Sequence, residues 1–467
     1  MIPCFPKVIA NKAIWLYVGV LAAVSLVFMS HAMDVIYIIM GLAWVVGFFM
    51  LSSFFSKRWS NLSPKLFVRN VFWTALGLRV FWVVFSYFFY LAKTGQPFEF
   101  SAADALWYYE ESTSNINTPI IDVWRYLFVN TLTVSDSGYV FYLTLLCKIF
   151  GKSVVAIRLV NSVFSAVTCI LVFHLASRNM DDKVGRLASL FVCFMPNLIY
   201  YCGLHMKETL MLFLLVAFFD RTDYLLQSKK YSFFTVLLPV LLLLSLFTFR
   251  TVLGASCAFA FVTSLVFSRS AVVGRGKRVM LIVWGALAVA VLAGGVIVNE
   301  LESTWNSRDA NQESKRLEQT QRGNQWAKYA TGAVMAPMIF VLPFPTMVDV
   351  DEQYNQQILS GGNFVRTFLG GFVLIAFFSA LFVKKNWRDL SMIGSFVIAY
   401  LGIVSMSGFA NSERFLLPGL PGLLIFAAYG VTLLNAKNYR FIKVWYWVVP
   451  LMVFGWAFFK LGSRGLF

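Results

Sequence analysis

Five charged residues carry the chemistry this chain could perform: Asp104, Lys207, Glu208, Arg250 and Arg414. They stand at the margins of apolar runs in a sequence that is 59% hydrophobic and only 13% charged. Charge held at the edge of hydrocarbon is costly and calls for an explanation. A carboxylate in a solvent-facing segment, such as Asp104, can act as a general base towards a hydroxyl or amine. Lysine and arginine at the ends of apolar runs suit a phosphate, and the guanidinium can bind it through two parallel hydrogen bonds.

Each residue also has a plainer reading. Asp104 lies in FSAADALWYYEES, where Ser101 and Asp104 fit the S-x-x-D capping box of a helix start. Glu208 follows Lys207 in PNLIYYCGLHMKETLMLFLL, and an acid is favoured at a helix N-terminus. Lys207 opposes the helix dipole there, so it makes a phosphate seat together with free backbone N–H groups. Arg250 ends the apolar run 236–249 and is either a phosphate clamp or a snorkelling helix anchor. Arg414, in NSERFLLPGLPGLL, is a similar case with Glu413 as its expected local partner. Arg79 falls mid-span in TALGLRVFWVV. Such a charge normally faces the bundle interior, as a structural or pocket-floor group beside a carboxylate that the sequence does not identify. Trp107, Tyr108 and Tyr109 either stack on a sugar or anchor their loop at the interface.

The elements that must position these groups are membrane helices. A mean hydropathy of +0.73 places the chain among polytopic membrane proteins, and a bilayer core takes about 20 apolar residues per helix. The all-α reading has about 13 spans: 13–31, 35–55, 70–92, 154–177, 184–202, 207–226, 232–249, 251–269, 279–298, 363–383, 389–407, 415–434 and 444–460. The short apolar stretch 139–150 reads as a helix lying at the interface. The stretch 331–345, with Pro337, Pro343 and Pro345, reads as re-entrant or lateral.

Lysine and arginine then recur on alternate turns. They include Lys57, Arg58, Arg178, Lys183, Lys229, Lys230, Arg275, Lys277, Lys384, Lys385, Lys437 and Arg440. This bias puts the N-terminus inside and the C-terminus outside. It also accounts for much of the net charge of +17, so no nucleic-acid partner is called for. Cysteines and histidines are scattered and suggest neither disulfides nor a zinc cluster. No cleavable leader is evident, and the first apolar run reads as a retained span.

The long polar segments 93–138, 299–329 and 347–362 all fall on the outer side, which makes that the working face. The expected organisation is two extra N-terminal helices (1–69), a catalytic membrane module (70–298) that includes outer loop 93–138, a polar and re-entrant region (299–362), and C-terminal helices (363–467). Asp104, Glu208, Asp349, Asp351 and Glu352 could together hold a hard divalent cation. No other cofactor is indicated.

Four segments resemble membrane glycosyltransferases of the family 39 type. DSGYVFYLTLLCKIFGKSVVAIRLVNS is similar to their tyrosine-rich helix leading through K-x-F-G into an A-x-R-L-x-N/S span. PNLIYYCGLHMKETLMLFLL resembles the segment where a proline, a small residue and an acid open a helix. ERFLLPGLPGLLIFAAYG resembles a late R-[YF]-L-x-P-x-x-P span, and the Asp104 loop completes the order. Together they cover most of 70–435.

The resemblance implies the GT-C architecture, with a large first extracytoplasmic loop carrying short interfacial helices. It implies a bacterial inner-membrane enzyme whose active face is periplasmic. It also implies an inverting transfer of a sugar from a polyprenyl-phosphate carrier to a glycan, lipid or protein acceptor. Asp104 is then the base, and Lys207, Glu208, Arg250, Arg414, Tyr108 and Tyr139 line the substrate site. The chain departs from the pattern at Asp104-Ala105, where protein mannosyltransferases usually have adjacent acids, and at Glu208, where Asp is usual. Two other readings stand beside this one. An O-antigen or capsule polymerase or ligase would rely on outer arginines and not on Asp104. A lipid-linked sugar flippase or transporter would need a polar path through the membrane.

Overall fold

The computed structural model describes residues 4–130, 134–228, 232–267, 338–351, 353–406, 412–462 and 466. The expected span 279–298, the polar segment 299–329, the start of 331–345 and Glu352 lie outside these. The described residues are helical, with no strand among them. The chain opens with α1 (Lys7–Val27), α2 (Val35–Arg58) and α3 (Pro64–Thr94). The first long polar segment holds α4 (Ala103–Ser114) and α5 (Ile120–Arg125). Then come α6 (Ser137–Phe150), α7 (Val154–Asn179), α8 (Asp182–Phe194), α9 (Pro196–Cys202), α10 (Glu208–Gln227), α11 (Phe233–Phe249) and α12 (Thr251–Phe267). The last stretch comprises α13 (Tyr354–Ile358), α14 (Ser360–Phe378), α15 (Ser391–Met406), α16 (Glu413–Leu416), α17 (Leu420–Thr432) and α18 (Ala436–Gly462).

Among the described residues, seven helices are long and apolar enough to cross a membrane, or eight if the bent pair α8–α9 is one span. The chain is therefore a multi-pass helical membrane protein. Helix boundaries follow local chemistry. Ser63 caps α3 ahead of Pro64, and left-handed Gly95 ends it; a glycine tolerates that conformation without a Cβ clash. Asp181 caps α8 by accepting from the Val184 N–H at 2.7 Å. The runs expected at 232–249 and 251–269 form two helices of 17 residues each, about 25 Å long, separated by a single extended residue, Arg250. The run at 207–226 forms α10, whose far end carries Asp220 and Asp223, paired with Arg178 at 2.6 and 2.8 Å. Burial sorts the long helices into centre and rim. About four-fifths of the apolar windows of 360–383 and 413–432 are buried (78% and 83%), against 33% for α3 and α18.

The run expected as the span 184–202 carries a 49° bend between α8 and α9. Pro196 opens α9; it has no N–H to donate back, and the residue before it is steered out of the helical region. Met195 is accordingly extended. The break strands backbone carbonyls inside the protein, where unpaired polar groups are costly.

Helix α3 satisfies them. Arg79, fully buried, donates to the carbonyls of Val192 and Cys193, both at 3.2 Å, and to Ser165 Oγ at 2.6 Å. Further along the same face, Trp82 Nε1 donates to the Tyr200 carbonyl at 3.0 Å, and Ser86 Oγ donates to that of Gly203 at 3.3 Å. Tyr90 donates to the Tyr200 hydroxyl at 3.0 Å. Residues 79, 82, 86 and 90 fall on one stripe of a helix. The mid-span arginine therefore pairs with backbone carbonyls of a broken helix and not with the carboxylate expected for it.

This assigns Arg79 to holding the break. Arg79→Leu leaves two buried carbonyls without donors, at about 1–3 kcal/mol each. The variant should melt clearly below the parent in detergent or nanodiscs. Parental melting would remove Arg79 from this role.

Candidate functional site

Four breaks between helices converge at one end of the bundle. The turn from α9 to α10 presents Lys207 and Glu208. The break between α11 and α12 presents Arg250, α16 presents Arg414, and the first turn of α4 presents Asp104. Glu208 sits at the centre. Its carboxylate is fully buried and pairs with Arg414 through Nε and with Arg250 Nη2 at 3.6 Å. Arg414 reaches on through Nη1 to Asp104. The Asp104 side chain is 55% exposed, whereas that of Glu208 is 0% exposed. Arginine thus bridges a sealed acid and an open one.

Arg250 is fixed from a second side. It donates to the Tyr400 hydroxyl at 3.1 Å, and its guanidinium lies 4.6 Å from the Phe415 ring centroid. Tyr400 in turn donates to the Phe415 carbonyl at 2.9 Å. Arg250 is therefore held by ring, hydroxyl and carboxylate, and is not a snorkelling anchor.

Lys207 belongs to the adjoining half of the cluster. Its ammonium pairs with Asp136 and donates to the Phe249 carbonyl at 2.9 Å. Asp136 also accepts from the Tyr108 hydroxyl at 2.7 Å. Burial works against the charge on Asp136, but Lys207 and the Tyr108 hydroxyl outweigh it and hold the carboxyl below its ordinary range. Burial and then the neighbouring Asp136 charge raise Tyr108, so it stays a hydroxyl donor. Asp136 stands just before α6 with a left-handed φ of 72°, which aspartate tolerates better than most side chains. Gly138 lets the start of α6 lie against the end of α11; a Cβ there would stand 2.1 Å from Thr248 Oγ1. The buried Tyr139 ring meets that of Tyr108 edge-on at 4.9 Å.

The structure therefore brings Asp104, Lys207, Glu208, Arg250, Arg414, Tyr108 and Tyr139 into one contiguous cluster. Three expectations are corrected. Ser101 and Asp104 form no capping box: α4 begins after Ala102, no side chain caps it, and Ser101 has a left-handed φ of 54°. Lys207 does not offer a free ammonium beside open N–H groups, because Asp136 and Phe249 already hold it. Arg414 is not partnered by Glu413. Adjacent helical residues point about 100° apart, and Glu413 turns inward to accept from Asn363.

The sequence alone does not single out Asp136, Tyr400, Asn363 and Glu99, and it gives Glu413 a different partner. Asp136 was the legible one, as a lone acid just before the tyrosine-rich helix. The others become visible only once distant helices meet.

A second buried group comprises Glu99, Arg158 and His205: Arg158 and His205 both lie against the Phe98 ring, and His205 also meets that of Tyr109. Arg158 donates to the Pro97 carbonyl at 2.7 Å, but its Nε and Nη1 have no hydrogen-bond partner. Both nitrogens of His205 and Oε2 of Glu99 are likewise without one. Burial raises the Glu99 carboxyl above its usual range.

No group of three or more His, Cys, Asp or Glu side chains capable of holding a metal occurs among the described residues. Asp349 accepts from Gln357 at 2.8 Å and does not join Asp104 and Glu208. No protein-family model matches the chain, and no curated protein matches it significantly.

His205 supplies a pH test. Burial, and then the Arg158 charge, lower its pKa to about 3. The folded protein therefore keeps it neutral where the unfolded chain, near 6.5, binds a proton. The unfolded state then takes up more protons, so stability rises with pH across that interval. It is lost as pH falls from about 6.5 towards 3, with a slope of up to about 1.4 kcal/mol per pH unit. His205→Phe keeps an aromatic beside Phe98 and Tyr109 and should lose that component of the slope. An unchanged slope in pH-dependent unfolding would contradict the buried, neutral assignment.

Proposed function

We propose that this protein is a polyprenyl-phosphate-sugar-dependent glycosyltransferase of the GT-C kind, working at the periplasmic face of a bacterial inner membrane. The observation that carries the reading is the cluster of three cations and three carboxylates around buried Glu208. Its formal charges cancel, which offsets part of the cost of burying them together. Its most exposed acid, Asp104, is also its most replaceable one.

In this account the lipid phosphate enters beside Arg250 and Arg414. It takes over the Nη1 arm of Arg414 that Asp104 occupies. Glu208 is sealed in and keeps the Nε arm, so Arg414 does not swing away. Phosphate binding thereby frees the Asp104 carboxylate on the solvent side.

The reaction follows from these roles. An acceptor hydroxyl or amine attacks the anomeric carbon while the bond from that carbon to the phosphate oxygen breaks. The acceptor proton passes to Asp104. The lipid phosphate leaves with the electron pair, and its growing charge meets guanidinium groups already in place. Attack opposite the leaving group inverts the anomeric centre. Lys207, held by Asp136, supplies the third positive charge, and Tyr108 and Tyr139 wall the site. The substrates are a lipid-linked sugar and a glycan, lipid or protein acceptor. No step in this scheme requires a cofactor.

The thirteen-span layout, with the N-terminus cytoplasmic, accompanies this reading and rests on the lysine and arginine bias of alternate turns. Reporter fusions after Arg388 should behave as cytoplasmic and fusions within 305–325 as external. The reverse result at both sites would put the cluster on the wrong face for a periplasmic transferase.

Asp104→Asn tests the chemistry. Asparagine keeps the shape but cannot take the proton. The variant should fold, bind undecaprenyl phosphate and lose transfer by about 10²–10⁴-fold. Arg250→Ala should lose both binding and transfer, with lysine restoring only part because the fork geometry is gone. An active Asp104→Asn enzyme would favour a polymerase or ligase that relies on the arginines alone.

A further inference from the structure

The aim of Arg414 depends on its helix, and α16 (Glu413–Leu416) is the first turn of a run that continues through the 3-10 turn Leu417–Gly419 into α17. The end turn of a helix frays more readily than its interior. Contacts from outside the helix hold this turn in place. On one side the Phe415 carbonyl accepts from Tyr400 at 2.9 Å. On the other, Glu413 turns into the protein and is 8% exposed.

There Glu413 meets a chain of side-chain amides. Its Oε1 accepts from Nδ2 of Asn363, in the first turn of α14. Oδ1 of Asn363 accepts from Nδ2 of Asn197, in α9, at 2.9 Å. Asn363 and Asn197 are 0% and 1% exposed. The chain has a direction: Asn363 turns its amide nitrogen towards Glu413 and its oxygen towards Asn197, whose nitrogen donates. Gly362 makes the approach feasible, since a Cβ there would lie 2.6 Å from Asn197 Oδ1.

The two ends of this chain are the two segments that must be kept in register. Glu413 is the residue before Arg414. Asn197 lies in α9, whose continuation delivers Lys207 and Glu208. We propose that Asn197, Asn363 and Glu413 are positioning residues that set Arg414 against Glu208 and Asp104. This rests on the reading of Arg414 as a ligand of the lipid phosphate. The role is carried by the hydrogen bonds of this chain. Arg366, one turn further along α14, is buried with Nε and Nη2 unpartnered, and it forms no ion pair with Glu413 within 4.0 Å among the described residues.

The test is a double-mutant cycle on purified full-length protein in nanodiscs, with undecaprenyl phosphate as the probe. Arg414→Ala should weaken binding roughly tenfold or more, as expected for losing a hydrogen bond to a charged group. Glu413→Ala should weaken it by a similar factor and add nothing further in the Arg414→Ala background. Glu413→Gln keeps an acceptor for Asn363 and should bind as the parent does. Asn363→Ala is the second route to the same break and should behave like Glu413→Ala, so a poorly folded Glu413→Ala protein does not end the test. Parental binding by both Glu413→Ala and Asn363→Ala would overturn the relay. So would additive losses in the cycle, or a Glu413→Gln protein as weak as Glu413→Ala, since that would assign Glu413 to neutralising Arg366. Parental binding by Arg414→Ala would overturn the phosphate reading itself, a different failure from either.

Discussion

A single buried carboxylate organises this molecule's candidate site. Glu208 is fully enclosed and shared by Arg250 and Arg414. Without it two guanidinium groups would face each other in a low-dielectric setting, where repulsion between like charges is strong. With it they are held side by side, already desolvated and aimed at one place. Breaking a buried pair by removing one partner is far more damaging than never having built it. The positions of α10, α16 and the break between α11 and α12 therefore depend on one another through this one group.

The surrounding architecture shows how broken helices supply such a site. Each charged residue of the cluster stands where a helix starts or stops: Lys207 and Glu208 after α9, Arg250 between α11 and α12, Arg414 in the opening turn of the run that leads into α17, Asp136 just ahead of α6. Breaks release backbone groups that must be satisfied elsewhere. The polar stripe Arg79, Trp82, Ser86 and Tyr90 answers the bend at Pro196. The Tyr200 hydroxyl donates to Asn355 at 3.2 Å, and Asn355 donates to the Phe100 carbonyl at 2.7 Å. The loop ahead of Asp104 is thereby tied to the same scaffold. Packing, backbone satisfaction and the proposed chemistry are linked by these few side chains.

Much of this was legible in the sequence, for a clear reason. In a chain so poor in charge, a lone Arg250 at the end of an apolar run is visible, as are Lys207-Glu208 at a helix start. Composition and hydropathy were enough to identify a helical membrane protein. Pairings were not legible, because they join residues far apart in the chain, as Arg414 with Asp104 and Glu208. Local sequence even misled. Glu413 beside Arg414 looks like a partner, yet helical geometry sends the two in different directions. Ser101 and Asp104 look like a capping box, yet a left-handed Ser101 moves the helix start. The stripe on α3 could have been found by reading polar residues at helical spacing within an apolar run.

The most direct measurement is an electron cryomicroscopy map of the protein in nanodiscs with undecaprenyl phosphate bound. The phosphate should lie within hydrogen-bond reach of both Arg250 and Arg414. Arg414 should remain on Glu208 while the Asp104 carboxylate is released and faces the solvent side. A phosphate seated away from these arginines, or one bound there with Arg414 still paired to Asp104, would contradict this arrangement.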